Sequence, residues 1–120
     1  MKKLKATNPE LITLIRDLKK QSQETQTELW RSLAGRLTSS KRSRVAVNLS
    51  RLNRFTKDGE TVVVPGKVLG AGKLDHPLTV GAFTFSEVAK SKIQNGKGNC
   101  LSIRDLMKKN PMGKNVKLME

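Results

Sequence analysis

Thr61-Val62-Val63-Val64 is a run of four β-branched residues, bounded by the turn signal Asp58-Gly59 on one side and by Pro65-Gly66 on the other. A branched Cβ loses rotamer freedom in a helix and packs well on a pleated surface, so the run favours extended backbone. Its three valines put apolar groups on both sides of that backbone, and the segment reads as a strand buried on both faces. The remaining elements have to be arranged around it.

Before the run the apolar spacing is helical. Pro9 suits a first helical turn after Thr7 or Asn8 as cap, and Glu10 suits the positive end of the helix dipole. Leu11, Leu14, Ile15 and Leu18 then fall on one face, Gln21 to Gln26 reads as a polar connection, and Leu29, Trp30, Leu33, Ala34 and Leu37 mark a second helix. Thr38 to Arg44 has no apolar residue and reads as a loop. Asn48 to Phe55 returns to helical spacing, with Leu49, Leu52 and Phe55 toward a core.

After the run the pattern is strand and turn: Lys67 to Leu69, Leu78 to Phe85, Asn99 to Ile103 and Asn115 to Met119 as strands. Ser86 caps a helix through about Asn95, with Val88, Ala89 and Ile93 inward, and Gly96-Lys97-Gly98 ends it. Ser102-Ile103-Arg104-Asp105 resembles a capping box and opens a helix that stops before Asn110-Pro111. The expectation is an α/β chain: a basic tail over residues 1–7, a helical extension with a basic loop over 8–45, and a mixed α/β module over 46–120.

Charge narrows the partner. In 120 residues, 24 Lys and Arg stand against 10 Asp and Glu, a formal net charge of +14. Self-repulsion of that size favours binding to a polyanion, and nucleic acid, with its condensed counter-ions, is the commonest one inside cells. An acidic membrane calls for a basic amphipathic helix or polybasic block, which is missing, and no apolar run approaches a membrane span. Met1-Lys2-Lys3 resembles the start of a signal peptide, but Asn8, Pro9, Glu10 and Arg16 interrupt any hydrophobic region after it. A lone cysteine, Cys100, points to a reducing compartment and excludes an internal disulfide framework.

Catalytic patterns are scarce. His76 and Cys100 are the single histidine and cysteine, no serine sits in a nucleophile elbow, and Asp75-His76 reads as a turn held by local hydrogen bonds. A phosphate loop ending at Gly72-Lys73 would need glycine where Lys67 stands, and no two glycines have the spacing of a GxxG clamp. Trp30, Phe55, Phe83 and Phe85 lie in apolar patterns, which favours core over base stacking. The chain reads as a non-enzyme with no cofactor, no metal and no small-molecule substrate.

What stands out is a stretch of cations. Between Glu28 and Asp58 there are eight, Arg31, Arg36, Lys41, Arg42, Arg44, Arg51, Arg54 and Lys57, and no acid. Ordinary solvated faces intersperse acids, and arginine's planar fork holds a phosphate through two hydrogen bonds. Asn48, Ser39 and Ser40 add neutral donors. Pro65 to Lys73 is a second candidate, where Gly66 and the later glycines let backbone approach a phosphate and Lys67 and Lys73 flank them; a plain turn between strands explains the same residues.

Several of these segments resemble one family. Thr7-Asn8-Pro9-Glu10-Leu11, Val47-Asn48-Leu49-Ser50-Arg51-Leu52-Asn53-Arg54, and Asp58-Gly59 followed by Thr61 to Gly70 are similar to the archaeal and eukaryotic large-subunit ribosomal protein eighteen-e, related to bacterial ribosomal protein fifteen. Leu74-Asp75-His76 and Phe85-Ser86-Glu87-Val88-Ala89 extend the likeness, which runs from about residue 7 to the C-terminus. One departure is Lys97, which separates Gly96 from Gly98 where the family has adjacent glycines. The resemblance implies a core of irregular ββα superhelical turns in a structural protein of the large ribosomal subunit. Its partners would be large-subunit ribosomal RNA and neighbouring ribosomal proteins in the cytoplasm, with RNA-facing positions at Lys41, Arg42, Arg44, Asn48, Arg51, Arg54, Gly66, Lys67 and Lys73. Recognition would rest on RNA shape and 2′-OH contacts rather than base edges. The competing reading is a free-standing, chromatin-type protein that binds nucleic acid without a defined site.

Overall fold

The computed structural model describes residues 9–38 and 45–120. The basic tail, the cap before Pro9 and Lys41, Arg42 and Arg44 lie outside the described residues.

Helix α1 (Pro9–Thr25) buries Leu11, Leu14, Ile15, Leu18 and Ser22. It runs on through Gln21 to Thr25, where the sequence predicts a polar connection, because Ser22 is buried on its inner face and Thr25 bonds back into its last turn. Ser22 follows Leu18 by one turn on the inner face and its hydroxyl donates to the Thr27 carbonyl at 2.8 Å, while Thr25 Oγ1 donates to the Gln21 carbonyl at 2.7 Å. Gln26, at φ 55°, turns the chain in the left-handed region, and α2 (Glu28–Thr38) follows with Trp30, Leu33, Ala34 and Leu37 buried.

A three-residue strand, β1 (Ala46–Asn48), then leads directly into α3 (Leu49–Phe55). The helical reading from Asn48 onward missed this strand, which has one buried side chain, Val47, and no alternation long enough to see. Strand β2 (Thr61–Leu69) is continuous where the sequence predicts two strands on either side of Pro65-Gly66. Next come β3 (Thr79–Phe85), α4 (Glu87–Asn95), β4 (Asn99–Ser102), α5 (Ile103–Lys109) and β5 (Val116–Leu118). Both expected caps form: Ser86 accepts from the Ala89 amide and Ser102 from the Asp105 amide. Between α4 and β4, Lys97 itself takes a left-handed conformation at φ 66°, and the Gly98 amide closes the turn on the Ile93 carbonyl.

The four ladders among the described residues are all parallel. Strand β2 is central: β3 lies along one edge, and two short strands share the other, β5 beside Thr61–Val63 and β1 beside Lys67–Leu69. Pro65 and Gly66 fall in the gap between them and in the register shift against β3. A proline has no N–H to give a ladder, so a central strand holds one only at such an irregularity. The β2–β3 crossover is made by a loop and the β3–β4 crossover by α4, which gives the expected ββα order within an α/β fold.

Each face of β2 has its own core. Val63 points into a cluster with α1, α2 and α5 that includes Leu18, Trp30, Leu33, Ile103 and Leu106. Val62, Val64 and Val68 point into the opposite cluster, with Leu49 and Leu52 of α3, Val80 and Ala82 of β3, and Ala89 and Ile93 of α4. Two side chains expected inside are outside, Phe55 at 50% exposure and Val88 at 56%, and Phe83 is 38% exposed. Phe55 ends α3 beyond the turn that carries Leu49 and Leu52, so its ring clears the sheet. Of the aromatics assigned to the core, Trp30 is fully buried.

Polar bonds tie the layers. The Trp30 indole donates to the Pro111 carbonyl at 2.8 Å and Gln21 Nε2 donates to the same oxygen at 3.0 Å, holding the α5–β5 connection on the helices. Arg104 donates to Asp17 at 2.5 Å, joining α5 to α1. That hydrogen bond, the largest influence on Asp17, holds its carboxyl below the usual aspartate range against a smaller desolvation effect.

Leu52→Ala, at a fully buried position, is expected to lower unfolding stability by about 2–5 kcal/mol in urea denaturation, whereas a loss under about 0.5 kcal/mol is what a surface site would give. Asp17 is more acidic folded than unfolded, so its contribution is present above the unfolded value and lost as pH falls through the folded one. Stability of the native chain measured below about pH 4 should therefore fall more steeply than that of Asp17→Asn, and equal slopes would show the Arg104 bond has no weight.

Candidate nucleic-acid interface

Helix α3 divides its surface three ways. Leu49 and Leu52 face the core, and Ser50, Asn53 and Thr56 meet the loop that joins β2 to β3. Along that loop the Ser50 amide donates to the Ala71 carbonyl at 3.0 Å, and the Ala71 amide donates back to Asn48 Oδ1 at 3.2 Å. Asn53 and Asp75 exchange two bonds, Nδ2 to Oδ2 at 3.1 Å and Asp75 amide to Asn53 Oδ1 at 2.9 Å. His76 Nε2 and Thr56 Oγ1 lie 2.7 Å apart. The loop is closed from the other side by Lys92, whose ammonium donates to the Gly70 and Gly72 carbonyls at 2.7 and 3.0 Å. Gly72, at φ +94°, leaves no room for a Cβ, which would stand 2.5 Å from that of Ser50.

The third side of α3 is cationic. Arg51 and Arg54 are exposed on it and Lys57 follows, while Lys67 is exposed on β2 and Lys73 on the stitched loop. None of these five forms an ion pair among the described residues. The two other predicted arginines among the described residues are engaged: Arg31 with Glu28 at 3.5 Å, both largely exposed, and Arg36 with Glu120 at 2.9 Å. An exposed pair such as the first contributes little and yields readily to a stronger anion.

Asn48 and Gly66 turn out to have internal partners. The Asn48 oxygen holds the glycine loop, and the space beside Gly66 is filled by Val45, whose carbonyl oxygen would lie 2.4 Å from an added Cβ. Sequence reasoning passed over Lys92 and Lys117 and assigned Phe55 to the core, where the structure leaves it half exposed. The Arg51 guanidinium lies 5.2 Å from the centre of the Phe55 ring, within cation–π range; the four-residue spacing was the available signal. Lys117 of β5 donates to the Phe55 carbonyl at 3.1 Å and to Glu60 at 3.3 Å. Glu60 also accepts from the Lys57 amide at 2.6 Å, the main reason its carboxyl is held below the usual range.

The two residues considered for nucleophilic chemistry are occupied elsewhere. His76 meets Thr56, and Cys100 lies near the Lys90 carbonyl with its thiol pushed up by burial, away from the reactive thiolate. No helix among the described residues is long and apolar enough to cross a membrane.

A sequence profile of the family described as ribosomal protein 60S L18 and 50S L18e matches residues 1–120. The chain belongs to this family. It is 48% identical over 113 residues to the large ribosomal subunit protein eL18 of Methanoregula boonei, covering 94% of this chain and 93% of that one. Against the eL18 of Methanothermobacter thermautotrophicus it is 45% identical over 120 residues, 100% of this chain and 99% of the other. Methanospirillum hungatei eL18 is 44% identical over 113 residues, 94% of this chain and 93% of that one. L18e is a family of large-subunit ribosomal proteins rather than of enzymes.

In this L18e chain Gly66 lies inside β2 rather than in a turn between strands, and its close packing on Val45 gives it a role that the sequence does not suggest. If the glycine is there for the contact with Val45, Gly66→Ala should cost about 1–3 kcal/mol of stability, the usual range for forcing atoms into a filled space. Chemical denaturation would show it, and a change below about 0.5 kcal/mol would mean that Val45 and β1 move aside freely.

Proposed function

We propose that the chain is a structural constituent of the large ribosomal subunit, in the cytoplasm, that binds and stabilises large-subunit ribosomal RNA. The observation that carries this reading is the family match over the whole length of a chain with a net charge of +14. The geometry supports a division of labour. Arg51, Arg54, Lys57, Lys67 and Lys73 are exposed cations without an acid partner among the described residues, and they meet RNA phosphates together with Lys41, Arg42 and Arg44. Arg31 and Arg36 exchange a carboxylate for phosphate on assembly. Asn48 and Gly66 act from behind, fixing the loop and strand on which the cations stand. Residues 8–45 serve as an extension to the module of residues 46–120, and neighbouring ribosomal proteins take the remaining exposed surface.

Counter-ion release makes this measurable. Replacing Arg42, Arg44, Arg51 and Arg54 by Ala should reduce the slope of log K against log salt by roughly 3, at about 0.7–0.9 per lost phosphate contact. The wild type should prefer a folded large-subunit RNA to duplex DNA of equal length. An unchanged slope would mean the arginines are merely solvated, and equal affinity for duplex DNA would favour a free-standing nucleic-acid binder.

A further inference from the structure

A single exposed apolar side chain is ordinary, but Phe55 stands in particular company. Its ring lines a groove of about 470 Å³ with Arg51, Lys117, Leu118, Met119 and Glu120. The groove's acids are already answered: Glu120 is paired with Arg36 at 2.9 Å, and nearby Glu60 with Lys117 at 3.3 Å. Arg51 and Arg54 of the same helix, with Lys57 just beyond it, keep their charge unpaired among the described residues. The surface therefore offers an aromatic ring, a planar guanidinium over it at 5.2 Å and spare positive charge at one place. An apolar protein side chain would leave the cations unused, and an acidic peptide would leave the ring unused. A nucleotide uses both, because every base has a π-face and every linkage a phosphate.

We propose that Phe55 and Arg51 form a stacking platform for one unstacked RNA base, with Arg54 and Lys57 placed for its flanking phosphates. The proposal rests on the RNA-binding reading above and gives that surface a ligand conformation: single-stranded at this point, rather than helical. Leu118 and Met119 add apolar lining to the groove, and Lys117, bonded to the Phe55 carbonyl at 3.1 Å, fixes the end of α3 on which the ring is mounted. Sequence specificity is not expected here, since stacking tolerates any base.

The test compares oligoadenylate with an abasic phosphodiester of equal length, on the full chain. Because Phe55 is half exposed, Phe55→Leu should keep its melting temperature near that of the wild type. It should bind oligoadenylate roughly 5- to 150-fold more weakly, the range for losing one base–aromatic stack, and bind the abasic chain as before. As an independent readout, the added indole in Phe55→Trp should be quenched by oligoadenylate and not by the abasic chain, while Phe83→Trp on β3 stays unquenched by either; buried Trp30 is the common background. Equal binding by wild type and Phe55→Leu, no preference of the wild type for oligoadenylate over the abasic chain, or equal quenching at positions 55 and 83 overturns the platform. Capture of a ribosomal protein at Phe55 with no effect of the ring on RNA would assign the groove to a protein neighbour instead. If the wild type binds large-subunit RNA while Phe55→Leu does so equally, this inference fails and the broader reading stands; if neither binds any RNA, both fail.

Discussion

The double-sided burial of β2 organises the molecule. Val63 and the pair Val62 and Val64 point into separate clusters, so the strand needs one layer from α1, α2 and α5 and another from α3 and α4. Strands buried on both faces read as continuous apolar runs and belong to parallel sheets, whose crossovers place cover on the faces. Here the crossovers are unusually economical: one is a loop without a helix, and that loop needs support that a helix would have supplied from within. Its hydrogen bonds to α3 and Lys92 provide it. A chain with only three phenylalanines, one tryptophan and no tyrosine thus holds its shape through valine packing and short polar stitches rather than through large aromatic cores.

The same stitches account for residues that look like chemistry. Asn48, Asn53, Asp75 and His76 have the composition of a small active site, yet each has its partner in the seam between α3 and the loop. Consumption of these groups leaves α3 one face for the outside, and that face carries arginine. Rigid placement matters for such cations: a guanidinium on a helix fixed at both its loop side and its core side meets a phosphate with less ordering left to do than one on a free tail. Ion pairs with Glu28 and Glu120 keep Arg31 and Arg36 oriented in the same spirit, though more loosely.

Legibility in the sequence followed the range of the interactions. The buried strand at Thr61–Val64, the caps at Ser86 and Ser102 and the faces of α1 and α2 depend on neighbours a few residues away, and all were readable. Strand β1 depends on a partner about twenty residues later and offers three residues of its own, so nothing local announces it. Pro65-Gly66 carried the ordinary signature of a strand end; the chain continues through it because two short strands meet β2 on either side of the gap. The end of α1 is hidden for a related reason, since Thr25 bonds back into the helix and Ser22 fills its inner face while bonding to Thr27 beyond it, and neither shows as apolar spacing. Phe55 looked internal on periodicity, and its exposure follows from where the helix stops against the sheet. As for the candidate interface, residue types and charge were legible, while the pairing of individual cations, and the internal contacts of Asn48 and Gly66, required three dimensions.

The sharing of one edge of β2 by β1 and β5 has a consequence for how the chain comes to its shape. Residues 61–63 pair with residues 116–118, so half of that edge has no strand beside it until more than fifty further residues have been added. Parallel pairing across such a separation is slow, and during the wait the most β-prone segment in the chain shows an open edge of the kind that recruits other strands. Glu60 adjoins the run on one side and Lys67 follows Pro65-Gly66 on the other, and a chain of net charge +14 repels its like, which together discourages such meetings. Charge in this chain thus has work while the fold is still forming: it keeps an unfinished sheet to itself while its last strand is still to come.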